Sequence, residues 1–429
     1  MTRIAFIGAG SVEFTKDLLA DLLSFPELGD ATIALQDIDR ERLQSAEAMA
    51  RWTNHAVGAH ATIETHLDRR AALAGCDHVI NMIQVGGHAA TLIDFEIPKR
   101  HGLRQTIGDT LGVGGIFRAL RTIPVMQGIG RDMAELCPDA WLLNYTNPMA
   151  ILCWAMYEGS PIERVVGLCH SVQWTTRELA ELAGVPYQEV TYLGAGVNHQ
   201  AWILRFERDG ESLYPLLDAA IERDPELRRR VRVEMYRRFG LFPTESSEHS
   251  AEYLPYFLRS DEMIERFRVP VDEYVRRSEE NLRLYDEMRA KLDAGTPFEI
   301  ERSLEYAALI VHSMLTGEPR VIYGNVRNDG LISNLPQGCC VEVPCLVDGN
   351  GVQPTAVGAL PPQLAALNRT FLNVCELTVR AAVDGSREHV YHAALLDPNA
   401  AGTLSPEAIG ALVDEMIAAH GDALPEGIR

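Results

Sequence analysis

The sequence predicts an α/β fold in which an N-terminal parallel sheet packs closely with a C-terminal α+β half. Three observations carry that expectation. Short apolar runs alternate with amphipathic helical stretches as far as about Gly196. A glycine-rich turn, Gly8-Ala9-Gly10-Ser11, joins the first apolar run to the first helical stretch. Beyond Gly196 the alternation gives way to runs of one kind, the pattern of α+β packing rather than of repeated βαβ units. The expected division is therefore 1–195 and 196–429.

Taken in order, Ile4-Ala5-Phe6-Ile7 reads as a buried strand, and Leu18, Leu19, Leu22 and Leu23 give the next segment one apolar helical face. A second strand spans Ile33 to Asp39 and a helix follows to about Val57. Further strands are expected at Ala61–Glu64, His78–Ile83, Trp141–Asn144 and Arg164–Leu168. In the second half, Ala201 to Phe206 reads as an exposed strand, with Asp209-Gly210 as a hairpin-type turn. Charged helical stretches are expected at Pro215–Phe239, Val271–Leu292 and Ser303–Thr316. β-rich runs at Arg320–Val326 and Cys339–Val347 and three further helices complete the chain. No repeat or low-complexity linker separates the halves, so the second should pack on the first.

A chain of 429 residues holds two or three domain-sized units and can bury large cores. A net charge of −21 with no block of like charge argues against nucleic acid or an anionic membrane as partner. It favours a neutral or cationic substrate over a phosphorylated one. The chain opens directly into a strand, without a signal-peptide apolar region. No apolar run approaches the ~18 residues of a membrane span, so a cytoplasmic location is expected. The eight cysteines are scattered and mostly lie inside apolar runs, so free thiols acting as small core residues are expected.

Several polar stretches stand out as candidate sites. Gly8, Gly10 and Ser11 lie between strand and helix, where backbone N–H groups attract a pyrophosphate. Asp37, at the end of the next strand, is where an acid takes ribose hydroxyls, and its charge favours NAD over NADP. Glu13 stands in place of a third glycine, so the fingerprint is incomplete. Asn144-Tyr145-Thr146-Asn147-Pro148 closes another strand; its asparagines can hold a ribose, an amide or a sugar hydroxyl, or simply make a turn. Cys169-His170 and Asn198-His199 end two more strands. Cysteine with histidine suits Mn, Fe or Zn, but the spacing matches no local metal motif, and a core cysteine with structural histidines explains it as well. Thr244 to Tyr253 is a dense polar cluster that serves either as a capped helix start or as the source of a general acid or base. Asp109 opens a glycine-rich loop into a helix bearing Arg118 and Arg121. That loop either lines a pocket or is a plain helix entry with two solvated arginines.

These stretches, in this order, resemble glycoside hydrolase family 4, the NAD- and Mn-dependent glycosidases. The likeness spans nearly the whole chain and includes Asn334-Leu335-Pro336. Cys169-His170-Ser171-Val172, Thr244 to Tyr253 and Tyr323 to Gly330 are similar to the variant carried by α-galactosidases of the melibiase type. The resemblance implies a Rossmann-like sheet of the lactate and malate dehydrogenase kind. It implies NAD at Gly8, Gly10, Ser11, Asp37 and Asn144, and Mn²⁺ on Cys169 and His199. It makes His170 the proton donor, Asn147 a sugar contact and Asp109 a support for the base. The base itself stays open among Tyr253, Glu245 and Glu248.

The implied reaction departs from the two-carboxylate scheme of most glycosidases. Hydride leaves C3 of the sugar, the C2 proton becomes acidic, the aglycone is eliminated, water adds, and the hydride returns. An α-galactoside such as melibiose is the expected substrate and a homodimer or homotetramer the expected assembly. The alternatives are the same chemistry on an α-glucoside or α-galacturonide, or a plain NAD-dependent dehydrogenase.

Overall fold

A computed structural model describes residues 1–429 apart from 297, 299 and 301, and apart from the side chains of 12 and 13. Its backbone is organised by one sheet of thirteen strands among the described residues. Six are parallel: β1 (Arg3–Ile7), β2 (Thr32–Gln36), β3 (Thr62–His66), β4 (His78–Asn81), β5 (Trp141–Asn144) and β6 (Val165–Leu168). They lie in the order 3-2-1-4-5-6, the doubly wound arrangement of dinucleotide-binding folds. β1, β2 and β4 are apolar on both faces because helices cover both sides, as a parallel sheet requires.

The second half extends this sheet. It supplies β7 (Thr191–Val197), β8 (Gln200–Arg208), β9 (Glu211–Ser212), β10 (Phe242–Pro243), β11 (Arg320–Arg327), β12 (Cys340–Asp348) and β13 (Gly351–Pro354). From β6 outward the order is 6-11-12-7-8-10, all antiparallel. One rung therefore runs Gly167, Asn325, Glu342, Gly196. That register brings the residues just after β6 and just after β7 together, although about 30 positions separate them in the chain. The expected division after residue 195 falls inside β7.

Two buried helices back the site. Gly112–Leu136 is buried along its first three turns, and Met149–Gly159 is buried on all sides from Met149 to Met156. The latter packs between the sheet and the helix Pro362–Asp384, which explains its unbroken apolar character.

Several expectations need correction. Ala201 to Phe206 is not an exposed strand: Ala201, Trp202, Ile203 and Phe206 are buried, because β8 is flanked by β7 and β10. Trp202 donates its indole N–H to Asn368 at 3.1 Å, as a buried tryptophan must. Pro215 to Phe239 is two helices, Tyr214–Arg223 and Val231–Phe239; Asp224-Pro225 ends the first, since proline restricts the residue before it. The C-terminal end holds four α-helices, not three: Pro362–Asp384, Arg387–Leu396, Pro398–Thr403 and Pro406–His420. Pro398 and Pro406 each take the first helical position, where the missing N–H costs nothing. Arg118 and Arg121 are buried rather than solvated. The Asp209-Gly210 turn does join β8 to β9, both residues having positive φ. All eight cysteines are free and buried. Among the described residues no helix is long and apolar enough to cross a membrane.

Candidate active site

β1 and β4 are neighbours in the 3-2-1-4-5-6 order, and at such a switch point an open parallel sheet leaves a crevice beyond its carboxyl ends. Gly8 follows β1 at φ +85°, and a Cβ there would stand 3.0 Å from the backbone of Ile83, so no other residue fits without a shift. A Cβ on Gly10 would meet Asp37 Oδ2 at 2.5 Å. The Asp37 carboxylate accepts from the N–H groups of Gly10 (2.8 Å) and Asp39 (2.9 Å), which fixes it beside the glycine turn. A cavity of about 1050 Å³ opens here, lined by Gly8, Gly10, Ser11 and Asp37 from the first half and by Tyr274, Leu282 and Tyr285 from the helix Glu273–Asp293. Its size, its backbone cradle and its acidic end fit a dinucleotide. The Glu13 side chain lies outside the described residues. Asn144 does not line this cavity. It is fully buried, accepts from Asn81 Nδ2 at 2.8 Å, and donates to the Thr146 carbonyl at 3.0 Å, so it holds the β5 turn.

The second centre forms where the rung brings two chain segments together. Cys169 follows β6, and His199 lies in the two-residue hairpin between β7 and β8. Cys169 Sγ is 3.2 Å from His199 Nε2. Glu245 joins them, with Oε2 4.0 Å from the sulfur and 3.8 Å from the imidazole nitrogen. All three donor atoms lie within 4.8 Å of one another. His199 and Glu245 both have left-handed backbones (φ 62° and 68°), which cost a non-glycine residue ~1 kcal/mol each and cluster at functional sites.

The electrostatics favour a bound cation. Burial first, then the charges of Glu245 and Glu342, push the Cys169 thiol well above its usual range, so a thiolate here needs a positive partner. Burial lowers His199, keeping it neutral, the form that ligates. Burial and His199 push the neighbouring His249 down to about 3; its ring packs edge-on against His199 at 4.4 Å and its Nδ1 meets Ser246 Oγ at 2.9 Å. Sulfur, nitrogen and carboxylate oxygen together suit a borderline divalent ion such as Mn²⁺, Fe²⁺ or Zn²⁺.

Around this trio the Asp109 loop makes an ordered support. Thr110 Oγ1 is 3.1 Å from His199 Nδ1 and donates to Asp109 Oδ1 at 2.9 Å. The hydroxyl thus accepts the Nδ1 proton and leaves the Nε2 lone pair facing the sulfur. Asn147 donates from Nδ2 to Asp109 Oδ2 at 3.4 Å. Arg118 donates to the Asn147 carbonyl (3.1 Å) and to the Tyr274 hydroxyl (2.7 Å). Glu252 secures the loop from below, accepting from the N–H groups of Thr106, Ile107 and Gly108 at 2.7, 3.2 and 3.1 Å.

His170 lies next to the trio with its side chain 45% exposed, and its Nδ1 is 2.8 Å from Glu305 Oε1. Burial opposes its protonation, but the hydrogen bond and charge of Glu305 outweigh that and raise its affinity for the proton. That suits a proton donor in partial contact with solvent.

The three residues offered as base separate clearly. Glu245 belongs to the trio. Tyr253 is buried and donates its hydroxyl to the Asn198 carbonyl at 3.1 Å. Glu248 enters the network through its backbone carbonyl, which accepts from Thr106 Oγ1. Ser246 caps the short helix Ser247–Glu252, so the helix-start reading of Thr244–Tyr253 and the functional one are both realised, by different residues.

Thr110, Tyr274 and Glu305 escaped the sequence reading, while Glu252 lay inside the Thr244–Tyr253 cluster without being singled out. Thr110 adjoins Asp109, and a hydroxyl beside a singled-out acid is a local hint. Glu305 and Tyr274 carry none, since they reach the site from segments over a hundred residues away.

Known proteins align with this arrangement along its length. Residues 3–185 match the family model described as "Family 4 glycosyl hydrolase", and residues 194–400 match its C-terminal domain. The chain is 46% identical to an alpha-galactosidase of Bacillus subtilis (strain 168) over 431 residues, 99% of this chain and 100% of that one. It is 35% identical to an alpha-galactosidase of Rhizobium meliloti (strain 1021), covering 99% and 89%. A 6-phospho-alpha-glucosidase from gut microorganisms, solved in complex with NAD and Mn²⁺, shares the fold with a TM-score of 0.82 at 22% identity, covering 99% of each chain.

Proposed function

Since this chain belongs to family 4 of the glycosyl hydrolases, we propose that it hydrolyses α-galactosides such as melibiose, with NAD in the crevice and Mn²⁺ on Cys169, His199 and Glu245. Two relatives named as alpha-galactosidases support the substrate, and the fold relative solved with NAD and Mn²⁺ supports the cofactors. The observation that carries the reading is an unbroken line of contacts from one centre to the other. Tyr274, which lines the crevice, is bonded to Arg118, Arg118 to Asn147, Asn147 to Asp109, Asp109 to Thr110, and Thr110 to His199. A nicotinamide and a cation so linked act on one sugar.

When bound, NAD supplies a reversible hydride acceptor for C3, and Mn²⁺ supplies Lewis-acid stabilisation at the C2 and C3 oxygens. The protein's own groups do the rest. Asn147 and Asp109 hold sugar hydroxyls between the two centres. With C3 a ketone, the C2 proton is acidic enough for a positioned phenolate to remove. Tyr274 is the base this reading favours. Burial raises its phenol, but Arg118 opposes that with a hydrogen bond to the oxygen and steadies the phenolate. His170, held by Glu305, gives its proton to the aglycone oxygen as the C1–O bond breaks. Water then adds to C1, the Tyr274 hydroxyl returns a proton to C2, and the hydride goes back to C3, so the cycle is redox-neutral and no NADH accumulates.

The test is incubation of p-nitrophenyl α-galactoside with the protein, NAD⁺, Mn²⁺ and a thiol reductant. Nitrophenol release without net NADH, and exchange of a C2 deuterium into water, are the expected results. Stoichiometric NADH would make the protein a dehydrogenase, and complete retention of the C2 label would exclude elimination.

A further inference from the structure

Trp174 is 48% exposed, one helical turn after His170 on the helix Ser171–Ala183. Its ring stands edge-on to the His170 imidazole, centroids 6.2 Å apart at 73°. A large indole left in water is ordinary when it is isolated and free to move. This one is neither. Arg177 stacks its guanidinium over the indole at 5.8 Å and over Tyr187 at 5.4 Å. Tyr187 meets Tyr192 hydroxyl to hydroxyl at 3.1 Å, and Tyr192 stacks on Tyr323 at 5.7 Å. Tyr323 is buried and its hydroxyl accepts from the Gly194 N–H in β7. Among the described residues Arg177 has no carboxylate partner, so the aromatic faces are what hold it. The indole is thereby tied through four side chains to the central sheet, while its remaining surface faces outward beside the proton donor.

We propose that Trp174 is the platform for the aglycone sugar, the ring that departs when His170 protonates the glycosidic oxygen. The leaving oxygen must lie within reach of His170, so the group attached to it projects outward past that imidazole, over Trp174. The axial C–H groups of a hexose pack well on an aromatic ring, and a pre-fixed ring costs little ordering on binding. The indole N–H has no partner among the described residues and is free to donate to a sugar hydroxyl. This inference rests on the glycosidase reading above.

The experiment compares aglycones on matched glycones: melibiose against methyl α-galactoside, and maltose against methyl α-glucoside. Wild type, Trp174→Ala and Trp174→Phe are assayed on each, with the mass of the assembly followed by light scattering. On the glycone that the wild type prefers, Trp174→Ala should lower kcat/KM for the disaccharide about tenfold, mostly through KM. The methyl glycoside should stay within about twofold, and Trp174→Phe should recover most of the loss. Equal losses on both aglycones, no loss on either, or a change in the mass of the assembly in Trp174→Ala would overturn the platform. The choice of glycone tests the function separately: a preference for glucosides refutes the galactoside reading and leaves the aglycone comparison to be read on the glucoside pair.

Discussion

Thr110→Val removes one hydroxyl and keeps the shape. In the wild type that oxygen accepts from His199 Nδ1 at 3.1 Å and donates to Asp109 at 2.9 Å. It selects the imidazole tautomer whose Nε2 lone pair faces Cys169. In the valine variant that tautomer leaves a buried N–H without an acceptor, a cost of ~1–3 kcal/mol. The ring then favours the other tautomer, with its proton on Nε2, where the cation would bind. At ~1.4 kcal/mol per decade of affinity, Mn²⁺ should bind about 10- to 100-fold more weakly, the range known for orienting partners of metal-bound histidines. The assay is titration of Mn²⁺ into the metal-free protein, reading free Mn²⁺ by electron paramagnetic resonance. NAD binding should not change, since Thr110 is absent from the crevice lining. A Mn²⁺ affinity within about twofold of wild type in a folded variant, or NAD affinity falling in step, would refute the tautomer argument.

Cys169→Ser should abolish Mn²⁺ binding while the NAD dissociation constant stays unchanged; retained Mn²⁺ binding would remove the sulfur from the site. Asp94 accepts from Arg121 at 3.0 and 2.6 Å and is 2.9 Å from His420 Nε2, all three being buried. Asp94→Asn should therefore cost about 3–5 kcal/mol in urea unfolding, and a loss below about 1 kcal/mol would show that this cluster is weakly coupled. Glu252→Gln sets an amide N–H₂ against backbone N–H donors and should destabilise the Asp109 loop by about 1–3 kcal/mol. Burial raises Glu252 to about 7, so in the wild type the native state binds the proton more tightly than the unfolded chain. Its contribution is full at low pH and is lost as pH rises through about 7. The deficit of the glutamine variant should accordingly shrink from acid to neutral pH, and a deficit that grows would reverse the assignment.

The dinucleotide half was readable because its determinants are local. Gly8, Gly10 and Asp37 sit at strand ends that apolar runs announce, and the strand order follows from repeated βαβ units. The cluster of Cys169, His199 and Glu245 was readable only in part. Cys169 and His199 stood out at strand ends but were paired as ligands only through the family resemblance, since what joins them is a rung completed by β11 and β12, far along the chain. Glu245 was read as a base candidate, because a carboxylate before a helix cap looks the same in sequence whether or not it folds against a cysteine and a histidine. Ala201 to Phe206 was misread because alternation cannot tell a strand at the sheet edge from one flanked on both sides. Glu305 and Tyr274 were invisible: each arrives through tertiary contact alone.

A fragment ending at Ala183 would keep all six parallel strands, both glycines and Asp37, but would lose the helix Glu273–Asp293 that forms the other wall of the crevice. It would own the sulfur but neither the imidazole nor the carboxylate, and β6 would face water where β11 now pairs with it. Such a stump would be sticky along that bare edge and would hold neither centre whole. Both centres thus draw on the two halves of the chain, and neither is housed in one contiguous stretch.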